Sequence, residues 1–173
     1  MRFAAVPTLF LFAGISLAQE RVNVAAQRDA MKKLDFLAGK WSGEAAVIRG
    51  PGEQTKVLQT EDVQFKLDGL VLVVEGTGRN PQTGQIVFNA LATISYDDAK
   101  GRYRFHSYND GRQLDTELKV SDKEFEWGYT AGPAAVRFVM RLNEKGEWVE
   151  TGEVTIGSNP PRRTLEMIVR RQK

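Results

Sequence analysis

The chain has no cysteine and only one histidine, and after its opening segment no long apolar run recurs. Without cysteine there are no disulfide staples, no thiol chemistry and no lipid attachment at a processed cysteine. A structural zinc site wants four nitrogen or sulfur ligands, so one histidine makes such a site unexpected. An excess of either charge is also missing: 24 basic residues stand against 22 acidic ones. That balance gives no electrostatic reason to expect nucleic acid or an anionic membrane as partner. The sequence shows no nucleophile with a base, no glycine-rich phosphate loop and no aligned acidic metal ligands. Nothing in it therefore calls for a cofactor.

What is present begins with an exception. Arg2 gives a short positive start, Phe3 to Ile15 is nearly all apolar, and Ser16-Leu17-Ala18 offers small residues for cleavage. This reads as a secretory signal peptide over residues 1–18, cut near Ala18. The apolar run is too short for a comfortable membrane span, so stable membrane insertion is not expected. Residues 19–173 are then one exported domain, periplasmic or extracellular, long enough to bury a core without staples.

One helical stripe runs through Val22 to Leu37, carried by Met31, Leu34 and Leu37 and stopped at Gly39. Beyond Trp41 the pattern alternates with period two between regularly spaced turns. It predicts strands near 41–49, 55–67, 70–78, 86–97, 102–109, 112–121, 124–131, 134–142, 147–156 and 163–171. Asp68-Gly69 and Asp110-Gly111 read as two-residue hairpin loops. They place Leu67 opposite Leu70, Phe65 opposite Leu72, Phe105 opposite Thr116 and Tyr103 opposite Leu118. Loops at 98–101 and 121–124 add Tyr96 opposite Tyr103 and Leu118 opposite Trp127.

These sets share one apolar face, while Arg104 with Glu117 and His106 with Asp115 share the other. A one-residue slip would invert every side chain, so agreement across several hairpins is informative. About ten next-neighbour strands with one wet face are expected to curl and close. The fold expected is all-β, an up-and-down antiparallel barrel with one short N-terminal helix. A barrel of that strand number leaves room for a small ligand.

The run Leu37-Ala38-Gly39-Lys40-Trp41-Ser42-Gly43 resembles the entrance of a calycin. With Thr60-Glu61-Asp62-Val63, Leu67-Asp68-Gly69, Glu75-Gly76-Thr77-Gly78 and Tyr96-Asp97 before Gly101-Arg102-Tyr103, it is similar to the family called domain of unknown function 1579. The resemblance spans residues 30–110 or so. It implies a calycin-like barrel, of the lipocalin and nitrobindin kind, in exported proteins without an agreed activity. It also implies an arginine of the last strand, Arg170 or Arg171, stacked on Trp41.

The candidate ligand-binding residues are Trp41, Glu61, Phe65, Tyr96, Tyr103, Phe105, Trp127 and Tyr129, with Phe88 and Phe138 on the same face. Glu61 is the oddest, because parity puts a carboxylate among apolar neighbours opposite Gly76. It reads either as an anchor for a ligand head group or as a structural carboxylate held by arginine or backbone. Parity turns His106 outward, away from any haem inside the barrel. Val71 and Val73 point outward too, and call for cover by the helix or by a partner surface. The function expected is binding of a small apolar or amphipathic molecule. The alternatives are a haem-dependent or acid/base enzyme within the barrel, and an interaction module with a filled core.

Overall fold

A computed structural model describes residues 22–50 and 52–173; the segment read as a signal peptide lies outside them. Helix α1 (Val24–Met31) leads through a 3-10 turn (Lys32–Leu37) into the first strand, β1 (Gly39–Gly50). Then follow β2 (Glu53–Lys66), β3 (Val71–Arg79), β4 (Ile86–Asp97), β5 (Arg102–Asn109) and β6 (Arg112–Ser121). The last four are β7 (Glu124–Ala131), β8 (Ala134–Leu142), β9 (Trp148–Ile156) and β10 (Arg162–Arg171). Each strand pairs antiparallel with its sequence neighbours, and β1 also pairs with β10, so the sheet closes into a ten-stranded up-and-down barrel. Closure leaves no edge strand, which a single wet-faced sheet of this width would otherwise expose.

The hairpin parity holds around the wall. Phe65 pairs with Leu72, Tyr96 with Tyr103, Phe105 with Thr116 and His106 with Asp115. The Asp110-Gly111 turn has positive φ at both residues, as a type I′ turn requires. The other turn differs from expectation. The ladder stops at Lys66–Val71, and Leu67 itself takes a left-handed backbone with Asp68 and Gly69. Leu67 is 71% exposed rather than facing inward, because the loop is four residues long and turns its side chain out.

The helix is shorter than its sequence pattern and lies across one end of the barrel. The side chain of Asn23 caps its first turn, accepting from the Ala26 N–H, and Asp98 of the β4–β5 loop accepts from Asn23 N–H and Gln27. The Tyr103 hydroxyl donates to the Ala30 carbonyl at 2.7 Å. Met31, Leu34 and Leu37 become fully buried, and with Trp41 they form a floor. The helix is therefore a plug, not the wall cover expected for Val71 and Val73, which stay partly exposed on the outside.

Closure also settles which arginine meets Trp41. Arg171 pairs with Trp41 across β1 and β10, and its guanidinium sits 4.1 Å from the indole centroid. It donates to the carbonyls of Ala38 and Phe36, orphan acceptors at the end of the 3-10 turn. Gly39 admits this approach: its φ is +125°, and a Cβ there would lie 2.6 Å from Arg171 Nη1. Arg170 points the other way, to Glu147 at 2.7 Å.

Gly43 lies where β1 and β10 come closest. A Cβ there would collide with the Ile168 carbonyl oxygen and lie 2.9 Å from Val169 Cα. Backbone cannot swing aside as a side chain can. Gly43→Ala is therefore expected to cost about 1–3 kcal/mol or more, by prising apart the closing seam. Urea denaturation of the two proteins checks this, and equal midpoints would contradict it.

A second seam is weak by construction. β6 and β7 pair only from Lys119–Glu126 to Ser121–Glu124. Above that ladder Thr116 Oγ1 donates to the Gly128 carbonyl at 2.9 Å, a side-chain bond where the other seams continue backbone pairing.

Candidate functional site

The barrel is closed at the helix end and open at the other. Inward-facing side chains on the floor, such as Trp41, Leu72, Ile94 and Met140, are almost wholly buried. Higher on the wall Val74, Ala92, Trp127 and Leu165 also face inward but are only partly buried. At the rim Phe88 and Tyr129 are each 39% exposed. In a closed sheet, exposure at an inward position is exposure to the lumen, so accessible space reaches down from the rim.

All eight expected residues face the interior, but they occupy different depths. Trp41, Tyr96 and Tyr103 belong to the floor. The Tyr96 and Tyr103 rings meet edge to face at 4.9 Å, and the Tyr103 hydroxyl is consumed by the helix. The Tyr103 hydroxyl therefore offers no polar point to a ligand. Phe65 lies low on the wall beside Leu72. Phe105, Trp127 and Phe138 form a stack, with centroids 4.7 Å and 4.3 Å from the indole, and Tyr129 continues it to the rim at 6.5 Å. This stack is one apolar wall of the lumen.

Glu61 lies where its parity put it, 8% exposed, opposite Gly76 and across β1 from Trp41. A Cβ at Gly76 would lie 2.9 Å from Glu61 Oε2, so the missing side chain makes the space that the carboxyl occupies. Neither arginine nor backbone holds it: its partner is Gln59, whose Nε2 donates to Oε1 at 2.8 Å. Burial pushes its pKa up to about 8; the Gln59 bond opposes the rise and the nearby charge of Glu150 adds to it.

Glu150 is the residue that the sequence analysis missed. It projects inward between Trp148 and Gly152, pairs with Met140 and Met167, and accepts from Trp148 Nε1 at 3.1 Å. Glu150 is half-buried rather than sealed, and its loss of hydration pushes its pKa up to about 7, against the indole bond. The alternation Trp148, Glu150, Gly152, Val154 was the available signal. It needed the register across the β8–β9 loop to give it a direction. Trp41 and Trp148 meet edge to face at 5.8 Å, so the indole paired with Glu61 touches the indole bonded to Glu150.

His106 faces outward as expected, with Nε2 3.8 Å from Asp115 Oδ1. As the chain has no other histidine, imidazole ligation of a haem inside the barrel is not available. The outer wall is a lattice of cross-strand ion pairs: Arg102 with Glu117, Arg104 with Asp115, and Glu126 with Arg137 and Lys119. A groove of about 500 Å³ also lies on that outer wall, lined by Glu75, Thr77, Asn89, Leu91 and Tyr108. It runs to the rim turn at Asp110 and Gly111, and neither Glu61 nor Glu150 lines it.

The barrel has a counterpart among solved structures. It is similar to the crystal structure of Rv2717c from M. tuberculosis, with a TM-score of 0.62 and 14% identity over 83% of this chain and 98% of that one. At that identity the likeness shows the fold alone. No family model and no curated protein matches the chain.

Proposed function

We propose that the protein binds a small apolar or amphipathic molecule inside the barrel, entering at the rim opposite the helix. The observation that carries this reading is the gradient of exposure down the lumen. The floor is sealed, whereas aromatic side chains that point inward remain accessible from the middle of the wall to the rim. Concave, mostly aromatic surfaces with a few polar groups at the bottom are the usual form of small-molecule sites. Trp127 and its stacked neighbours would hold the apolar part, and Glu61, Gln59 and Glu150 the polar end.

The proposal includes export and a calycin-like kinship. Export is supported by the leader pattern in the first eighteen residues. Kinship is supported by the helix, Gly39 and Trp41 entering β1 with Arg171 stacked beneath the indole. Native mass spectrometry of protein purified from its own host is expected to show a retained species below about 1 kDa, since sites of this kind hold drug-sized ligands. A bare polypeptide mass, together with no binding of any apolar probe, would overturn the reading.

A second reading rests on the raised carboxyls. Groups that titrate near neutrality can act as general acid and base on a bound molecule. Glu61→Gln separates the two, since it should abolish turnover and spare binding of a neutral probe.

A further inference from the structure

Glu61 and Glu150 are an unusual pair to place in an aromatic lumen, because no positive side chain accompanies them. Across the inward-facing positions of all ten strands, the other charged side chains stand at the two ends. Arg49, Glu53, Arg112 and Arg162 lie on the rim, and Arg171 lies beneath Trp41, where it is engaged by the Ala38 and Phe36 carbonyls. The remaining inward titratable groups are the hydroxyls of Tyr96, Tyr103 and Tyr129. Buried carboxyls in natural proteins are ordinarily paired with a cation or fully hydrogen-bonded.

Each carboxyl here receives one side-chain hydrogen bond and no more. Gln59 donates to one oxygen of Glu61, and Trp148 donates to one oxygen of Glu150. Among the described residues the second oxygen of each accepts no hydrogen bond. Glu61 is more than nine-tenths buried, and its carboxyl fills the space left by Gly76, with Oε2 2.9 Å and Oε1 3.2 Å from where a Cβ would lie. Each acid has an indole beside it, since Trp41 pairs with Glu61 and Trp148 bonds to Glu150, and the two indoles meet at 5.8 Å. Two carboxyls with unused acceptor capacity, and aromatic rings beside them, form an arrangement that lacks a cation with N–H donors.

We propose that the polar end of the interior ligand is a protonated amine, held by Glu61 and Glu150 beneath an apolar tail that lies along the Phe105–Trp127–Phe138 stack. This rests on the reading of the lumen as a ligand site and specifies its chemistry. An ammonium supplies the donors that the free oxygens lack, and its charge removes the penalty of burying an ionised carboxylate. A carboxylate or phosphate head would meet two acids and no counter-charge, so anionic amphiphiles are excluded. Binding from acid solution releases a proton to solvent: a carboxyl that is protonated in the free protein ionises as the ammonium arrives.

Three probes with one tail and different heads test this: decylamine, decanol and decanoate, titrated while tryptophan fluorescence is followed. The amine is expected to bind at least about tenfold tighter than the alcohol, a difference of about 1.4 kcal/mol, with decanoate weakest. Its affinity should rise between about pH 5 and pH 8 as the carboxyls lose their protons, while that of decanol should change little. Calorimetry in buffers of different ionisation enthalpy should show proton release for decylamine at the acid end. Glu61→Gln and Glu150→Gln should each bring the amine toward the alcohol, and retained decanol binding shows that the variants are folded.

Equal affinities for the three probes, or decanoate binding tightest, would overturn the amine assignment and leave the apolar-ligand reading standing. Failure of all three to bind would remove both.

Discussion

Replacing Trp41 with alanine is expected to lower the unfolding free energy by about 3–5 kcal/mol, the range for a large aromatic truncated in a core. Three losses coincide at this residue. Its ring is 99% buried, against the helix plug on one side and Trp148 on the other. Its Nε1 donates to the Leu37 carbonyl at 2.8 Å, an acceptor in the final turn before the first strand. Its face carries the Arg171 guanidinium, which ties the end of β10 to the same turn.

Without the indole the floor is left with a cavity and a charged group that has lost its apolar support. Truncation of Trp127, in the partly accessible stack higher up, is expected to cost less, because fewer contacts are forfeited there. Guanidinium denaturation followed by far-ultraviolet circular dichroism measures both. A Trp41 variant as stable as the parent would mean that the plug contributes little to the fold.

The second large effect is a fall in stability as pH rises from about 5 to 8. Glu61 and Glu150 have folded pKa values of about 8 and about 7, both above the ordinary 4.5. Below about pH 4.5 folded and unfolded chains hold these protons equally. Above it the unfolded chain releases them while the folded chain retains them, so each rise in pH favours unfolding until the folded carboxyls also ionise. The slope is at most about 1.4 kcal/mol per pH unit for each carboxyl.

Carboxyls shifted the other way do not mask this. Asp98, held low by the Asn23 N–H, Glu126 by Arg137 and Glu147 by Asn143 contribute stability that is fully present above the ordinary carboxylate range. Their loss appears only on acidification below it. The melting temperature should therefore drop by about 2–4 °C for each kcal/mol lost between about pH 5 and 8. Glu61→Gln and Glu150→Gln should each flatten that decline. A parent melting curve insensitive to pH over this window would show that the two side chains are hydrated and titrate normally.

Much of this architecture was legible in the residues because a barrel is built from local rules. Side-chain direction alternates strictly along a strand, and a short hairpin passes that direction to the next strand. Knowing that Phe65 faces inward was enough to send Glu61 inward. Knowing that Phe105 does so sent His106 out. The misplaced residue, Leu67, fails at the point where locality fails: a run of three left-handed residues lengthened the loop, and nothing in Leu67-Asp68-Gly69 excluded the shorter turn. The helix stripe was legible too, but where it would dock was not. Met31, Leu34 and Leu37 say only that one face must be covered.

From sequence alone the strand count, the dry face, the inward Glu61 and the outward His106 were determined, since each follows from period-two alternation carried across adjacent hairpins. Only the tertiary structure decided which of Arg170 and Arg171 meets Trp41, which end of the barrel is open, and that Glu150 comes near enough to Glu61 for its charge to be felt there. These depend on closing β10 onto β1, a pairing between the two ends of the domain whose register no turn specifies. Distance along the chain conceals such neighbours. The curvature of the closed sheet brings β2 and β9 to face one lumen, where two carboxyls that look unrelated in sequence come near enough for the charge of one to raise the pKa of the other.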